Sequence, residues 1–378
     1  MKNILFLTGT RADFGKLKPL IGAVDRHPDF EYSIFATGMH LLFRYGMTVE
    51  EINKAGFTNI FAFMNQIHGE PMEMVLANTI SGLSRYLHEN TPDLLVVHGD
   101  RVEAMAGAIV GALRNILVGH VEGGELSGTV DELIRHSVTK LAHIHFAANK
   151  DAEGRLLQLG EHPDSVHIIG SPDIDVMLSN ELPDIDAVRQ YYEIPFSNYA
   201  MVLYHPVTTE LENTAAHVKE MVDAIIENGR NYVVIYPNND SGSDIIFREY
   251  ARLKGRNNFR IFPSLRFEYF LSLLKHAEFI IGNSSAGIHE APVFGVPTVN
   301  IGTRQQNRFS GASIFHADNT RLNIDESIRL ALSAGKLPSC RHFGRGESAA
   351  CFMKALEKKE LWLTPKQKSF QSLSMVLP

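Results

Sequence analysis

The sequence predicts an α/β chain of two parallel, doubly wound sheets. Three observations carry this. Short apolar runs rich in Val, Ile, Leu and Phe alternate with segments of helical periodicity. Such alternation is the pattern of a parallel sheet covered by helices on both faces. The alternation stops once, in a proline- and acid-rich stretch at 171–199, and then restarts. The length, 378 residues, exceeds what one core ordinarily holds and suits two.

In the first half, the run Asn3–Leu7 reads as a buried strand. It is too short for the apolar part of a leader and runs straight into a glycine turn. The turn TGTR opens a helix through KLKPLIGAVDRH. EYSIFATG is the second strand, MHLLFRYGMTVEEINKAG is helix-rich, and TNIFAF is the third strand. A long helix covers MEMVLANTISGLSRYLHEN, where apolar residues recur at three and four. LLVV, NILVGHV, HIHFAANK and VHIIGSP are further strands, separated by the helices AMAGAIVGALRN, DELIRHSVTKLA and DAEGRLLQLG. Residues 171–199 read as a linker. Beyond it the strands AMVLYHP, NYVVIYP, FRIFP, FIIGNS and PTVNIG alternate with helices in ENTAAHVKEMVDAIIEN, SDIIFREYARLKG, FEYFLSLLKHA and GIHEAPVFG. Residues 320–360 read as helical.

Composition narrows the class of molecule. Apolar residues make up 44% and charged residues 21%, as in a globular protein. The net charge of −7 argues against nucleic acid as the main partner. No stretch reaches the length of a membrane span. Cys340 and Cys351 have no histidine pairs nearby, so they make neither a zinc site nor a disulfide framework. A reducing, cytoplasmic setting is the expectation.

The chemistry centres on 98–136. The strand LLVV ends in HGD and NILVGHV ends in EGG, so Asp100 and Glu122 each follow a strand. Neighbouring parallel strands share a carboxyl edge where ligands bind, which can bring these acids to one pocket. Asp131 opens the next helix. Carboxylates in different environments can divide the roles of general acid and general base. The alternative is that Asp100 and Asp131 merely cap the helices behind them; Glu122 fits that reading less well. Arg135 and His136 stand one turn beyond Asp131 and Glu132. His143 and His145 alternate along a strand, and no His-x-x-x-His with acidic support occurs, so no metal site is read. A magnesium site built from the carboxylates is the alternative.

Two turns suit anions. GTRADFGK lacks G-x-G-x-x-G, so the nicotinamide fingerprint is missing. It does place Arg11 and Lys16 at the start of a helix, where backbone amides favour phosphate or carboxylate. In the second half, Ser284, Ser285 and Gly287 follow a strand, and their amides suit a diphosphate. Glu290, about one turn further on, can grip a ribose diol. His205 ends another strand, and Arg304 and Arg308 form a further cationic loop.

Taken together, GTRADFGK, TGMH, HGDR, HVEGGELSGTVDE, HIIGSPD, HPVTTE, YPNND, GNSSAGI and GTRQ resemble the UDP-N-acetylglucosamine 2-epimerase family over roughly residues 3–310. The resemblance implies two Rossmann-like domains facing across a cleft (glycosyltransferase-B-like) and a C-terminal helix returning to the first domain. The domains implied are 1–172, with the acid/base residues; 173–350, which binds UDP; and a tail at 351–378. In place of GTRPE and the Gln-His-Arg element of the non-hydrolysing branch, this chain has GTRADFGK and TGMHLLFRYG. Both match the hydrolysing branch, which releases N-acetylmannosamine and UDP for sialic-acid synthesis.

The implied reaction removes the C2 proton as UDP leaves C1, giving a 2-acetamidoglucal, to which water then adds. Asp100, Glu122 and Asp131 are implied as acid/base residues, and His205 as support for the leaving diphosphate. Arg11, Lys16, Ser284, Ser285, Gly287 and Glu290 are implied to hold UDP, and Arg266 to meet uracil. The resemblance implies no cofactor and a homodimer. Two alternatives stay open: a 2,4-diacetamido-2,4,6-trideoxy sugar nucleotide as substrate, and a glycosyltransferase on the same fold.

Overall fold

The computed structural model describes residues 1–372; the last residues of the expected tail, 373–378, lie outside the described residues. The chain divides into two compact units. One comprises Met1–Leu126, Asp131–Leu178 and the residues from His342 onward; the other comprises Ser127–Val130 and Ser179–Arg341.

The first unit holds seven strands: β1 (Lys2–Thr8), β2 (Phe30–Ala36), β3 (Ile60–Ala62), β4 (Leu94–His98), β5 (Leu117–Val121), β6 (Ile144–Ala147) and β7 (Val166–Ile168). They pair in the order β3-β2-β1-β4-β5-β6-β7, all parallel. The order reverses between β1 and β4. The loops after these two strands therefore diverge to opposite faces and leave a crevice at the carboxyl edge. The second unit repeats the plan with β8 (Ala200–Leu203), β9 (Tyr232–Ile235), β10 (Phe259–Phe262), β11 (Ile280–Gly282), β12 (Thr298–Ile301) and β13 (Ile314–Ala317), ordered β10-β9-β8-β11-β12-β13. Its reversal lies between β8 and β11. Two parallel-sheet units of this kind are the architecture expected from the strand–helix alternation.

Two elements differ from that expectation. The stretch 171–199 is no plain linker: it forms helices at Pro172–Leu178 and Ile185–Tyr191. Pro172 opens the first of them, where proline's missing N–H costs nothing, and the Asp184 carboxylate caps the second by accepting from the Asp186 amide at 2.9 Å. The sixth strand of the second sheet, β13, is only four residues, IFHA, with a histidine that breaks the apolar run.

The C-terminal helix Ser348–Leu356 packs on the first unit. Phe352 and Leu356 join Ile4 and Phe6 of β1, Phe146 of β6 and Leu17 of the helix Arg11–Asp25 in one core. Further on, the Lys368 ammonium sits 2.6 Å from the Ala142 carbonyl and 2.5 Å from Glu161. Glu161 also receives Lys140 at 2.7 Å and His145 at 2.9 Å. Burial alone would raise its pKa, but the His145 and lysine contacts hold it down at about 2.

Candidate functional site

The carboxyl edge of the first sheet gathers a network of paired charges. Glu122 follows β5 with φ of 60°, a left-handed conformation costing an ordinary residue roughly 1–2 kcal/mol. The backbone is held there at both ends: its amide donates to the Phe146 carbonyl at 3.0 Å, and its carbonyl accepts from Arg135 Nη1 at 2.5 Å. Strain of this kind collects at sites of function. The Glu122 carboxylate is buried. Lys16 Nζ lies 3.2 and 3.4 Å from its two oxygens, and His98 Nε2 lies 3.1 Å from Oε2. The Ser171 hydroxyl donates to Oε1.

Each of these partners is itself engaged. Lys16 pairs also with Asp173 at 3.4 Å, and Ser171 Oγ lies 2.5 Å from Asp173. A hydroxyl has one proton, so Ser171 serves one of the two carboxylates at a time. The Ser171 amide donates to the Phe343 carbonyl at 2.7 Å, and its carbonyl accepts from the Ser348 hydroxyl at 3.0 Å. The C-terminal segment thus fixes a residue that touches Glu122.

Arg135 is the tie between the two strand-end acids. One end of its guanidinium holds the Glu122 carbonyl and the other pairs with the Asp100 carboxylate. Burial opposes its charge, yet Asp100, Glu122 and Glu125 together raise its pKa further. Capping does not explain Asp100: the residue at the N-cap of the helix Val102–Leu113 is Arg101. Asp131 is the second residue of the helix Val130–Leu141 and is partly exposed. The predicted Glu132–His136 pair is present at 3.0 Å.

Two nearby histidines are neutral for the same reason. Burial lowers His120 to about 3, although it contacts the Gly99 carbonyl at 2.8 Å, and lowers His40 to about 4. Their rings bind the turns in place: His40 bridges Thr8 at 3.0 Å and Thr48 at 2.8 Å. Arg11 begins the helix after β1, partly buried.

The turns after β1 and β2 touch backbone to backbone. Gly38 has φ of +65°, and a Cβ there would lie 2.5 Å from the Gly9 carbonyl and 2.6 Å from Glu103. Gly38→Ala is expected to destabilise the first unit by at least ~1–2 kcal/mol, the left-handed penalty alone, read as a lower urea midpoint.

In the second unit, Asn283 follows β11 and works as an extra rung of the sheet. Its side-chain oxygen accepts from the His205 amide at 2.7 Å, and its side-chain nitrogen donates to the His205 carbonyl at 2.9 Å. His205 Nδ1 accepts from the Asn238 amide at 3.1 Å. A neutral His205 therefore carries its proton on Nε2 and is a donor there. Gly282 permits the close approach: a Cβ would lie 1.9 Å from the Leu203 carbonyl.

Ser284 caps the short turn Ser285–Gly287, accepting from the Ala286 amide at 3.3 Å. Gly287 lies flat on Thr298, which donates to its carbonyl at 2.7 Å. Glu290 opens the one-turn helix Glu290–Val293 and is buried. The expected continuous helix in GIHEAPVFG is thus two short turns. The Arg266 amide donates to the Tyr192 hydroxyl at 2.9 Å, and its guanidinium lies over the Tyr269 ring at 5.4 Å. Arg304 and Gln305 both donate to the Asn283 carbonyl, at 3.2 and 3.0 Å.

Sequence reasoning gave no role to His98, Asp13, Ser171, Asp173 or Asn283. HGDR, HIIGSPD and GNSSAGI contain four of them and GTRADFGK the fifth, so the signal was membership in the motifs that carry the resemblance. Lys16 sits in the predicted turn but faces Glu122 and Asp173. Among the described residues no group of three or more His, Cys, Asp or Glu side chains is gathered to hold a metal ion, and no helix is long and apolar enough to cross a membrane.

The chain is similar to known proteins over most of its length. Residues 22–357 match the family model described as UDP-N-acetylglucosamine 2-epimerase. A Neisseria meningitidis serogroup B protein named UDP-N-acetylglucosamine 2-epimerase is 49% identical, over 99% of this chain and 100% of its own. The polysialic acid biosynthesis protein P7 of Escherichia coli is 34% identical over 88% of this chain and 86% of its own. A Legionella pneumophila protein named UDP-N,N'-diacetylbacillosamine 2-epimerase (hydrolyzing) is 31% identical over 92% and 94%. The fold is shared with a Methanocaldococcus jannaschii UDP-GlcNAc 2-epimerase solved with UDP-GlcNAc and UDP, at a TM-score of 0.80 and 22% identity, over 94% of this chain and 99% of that one.

Proposed function

The chain belongs to the UDP-N-acetylglucosamine 2-epimerase family, and from that premise we propose that it is a hydrolysing 2-epimerase that converts UDP-N-acetylglucosamine to N-acetylmannosamine and UDP for sialic-acid synthesis. The observation that carries the reading is the pair Asp100 and Glu122, tied by Arg135 at one sheet edge. One carboxylate removes the proton from C2, the C1–oxygen bond breaks, and UDP departs with the bonding electrons. The product is a 2-acetamidoglucal. Water then adds its oxygen to C1, and a proton returns to C2 on the opposite face. The hydrolysing form is supported by GTRADFGK in the first turn and by a 31% identical relative named as hydrolyzing. The biosynthetic role is supported by the relative named for polysialic acid.

Asp100, Glu122 and Asp131 act as acid and base. His205, a donor at Nε2, stabilises the diphosphate as it gains charge. Arg11, Ser284, Ser285, Gly287, Glu290 and Arg266 hold UDP. Lys16 meets phosphate only by giving up Glu122 or Asp173, so its main work is to keep Glu122 ionised. No cofactor enters the scheme, the protein works as a homodimer in the cytoplasm, and light scattering of the purified protein tests the dimer.

The deciding experiment is NMR of the sugar formed from UDP-N-acetylglucosamine alone, in D2O. N-acetylmannosamine carrying deuterium at C2, with an equivalent of free UDP, is expected and should persist in EDTA. UDP-N-acetylmannosamine as the end product would overturn the hydrolysing reading. Because the Legionella relative is named for a diacetylated bacillosamine nucleotide, that substrate is the comparison; faster UDP release from it would reassign the sugar.

A further inference from the structure

One residue pair at the first sheet edge has no place in the reaction as written. His98 stands at the end of β4 with its side chain only 10% exposed. Its two ring nitrogens lie beside two different carboxylates, at ion-pair distance rather than in aligned hydrogen bonds: Nε2 lies 3.1 Å from Glu122 Oε2, and Nδ1 lies 3.1 Å from Asp13 Oδ1. A neutral imidazole has one N–H and one lone pair, and a lone pair set against a carboxylate oxygen at this distance is repelled. Only the imidazolium is attracted at both nitrogens. Asp13 is itself anchored: its second oxygen accepts from the Gly9 amide at 2.8 Å, and its own amide donates to Thr10 at 3.1 Å. The turn after β1 therefore holds a carboxylate at one fixed place, and His98 hangs between it and Glu122.

We propose that His98, charged and braced by Asp13, is a positioning residue that holds the Glu122 carboxylate ionised and oriented for the sugar step. This rests on the hydrolysing-epimerase reading above. Glu122 is thereby clamped from two sides, by Lys16 and by His98, while Ser171 donates to the oxygen on the Lys16 side. The charges around this array are Asp13 and Glu122 at His98, Asp173 at Lys16, and Arg135 at the Glu122 backbone. Burial works against the imidazolium, yet the Glu122 charge and the contact with Asp13 raise His98 to about 9. Its folded pKa lies above its unfolded value, so its contribution to stability is complete below the unfolded pKa of 6.5 and is lost as pH rises through about 9.

The test uses the full-length protein and UDP-N-acetylglucosamine, with UDP release followed from pH 6 to 10. Wild-type kcat is expected to fall along an alkaline limb near the His98 pKa. His98→Gln keeps a polar side chain beside Glu122 but not the charge. It should lower kcat at least tenfold with KM within about twofold, and its alkaline limb should vanish. Asp13→Asn should move the limb to lower pH. Ring 15N shifts of His98 in the wild-type protein give a reading that survives a poorly folding variant: an imidazolium at pH 7.5 is expected. A neutral ring at that pH, or a His98→Gln enzyme with wild-type kcat and the limb intact, overturns the proposal. Absence of UDP release from wild type would instead overturn the reading on which it rests.

Discussion

Glu122→Gln is expected to lower the rate of UDP release by ~10²- to 10⁴-fold, the range lost when a positioned acid or base is removed, while the fold persists. The fold should persist because neither cation beside Glu122 is left alone. Lys16 keeps Asp173, and His98 keeps Asp13. The costly outcome, a buried charge with no partner, is thereby avoided. Asp100→Asn is the matched variant. Arg135 would still hold the Glu122 carbonyl and feel the Glu122 and Glu125 charges. The rate should fall over a similar range, with circular dichroism unchanged. Near-normal turnover in either variant would remove that residue from the chemistry and return it to a structural role.

The second large effect is on stability. Phe352→Ala is expected to destabilise the first unit by about 3–5 kcal/mol, the cost of emptying a buried aromatic site. Phe352 is fully buried, with its ring 4.7 Å from Phe146 and 6.4 Å from Phe6. It lies more than three hundred positions along the chain from Phe6, yet the two share a core. The chain supplies its own reporter. Trp362 is its one tryptophan, and it stacks on Phe30 of β2 at 6.0 Å. Tryptophan fluorescence during urea unfolding therefore follows the first unit alone. A midpoint unchanged from wild type would show that the C-terminal helix is not part of that unit's cooperative core.

The strands were legible because parallel sheets buried on both faces need nearly continuous apolar runs, as in Leu94–His98 and Leu117–Val121. The carboxyl-edge position of Asp100, Glu122, Ser284 and His205 followed from that. Three things were not legible. Pro172 reads as a breaker in sequence but opens a helix. Lys16 looked like a phosphate ligand because its turn suits anions; its pairing with Glu122 joins residues 106 positions apart and has no local signature. The use of Asn283 as a rung between β8 and β11 depends on the strand order, which apolar periodicity leaves undetermined.

The division of the first unit has a consequence for synthesis on the ribosome. Its sheet is complete in sequence by Ile168, but its core waits for Phe352. At about 5–20 residues per second, that interval is ~10–40 s. During it the second unit, nearly continuous from Ser179 to Arg341, can close, while the Phe6–Phe146 surface stays uncovered. Nascent chains arrested shortly after residue 341 should thus yield a protease-resistant second unit and a digestible first one. Equal resistance of both units at that length would show that the sheet is stable without its last helix. The uncovered interval is when a chaperone would matter most, and when a substitution at Phe352 would divert the chain to aggregation.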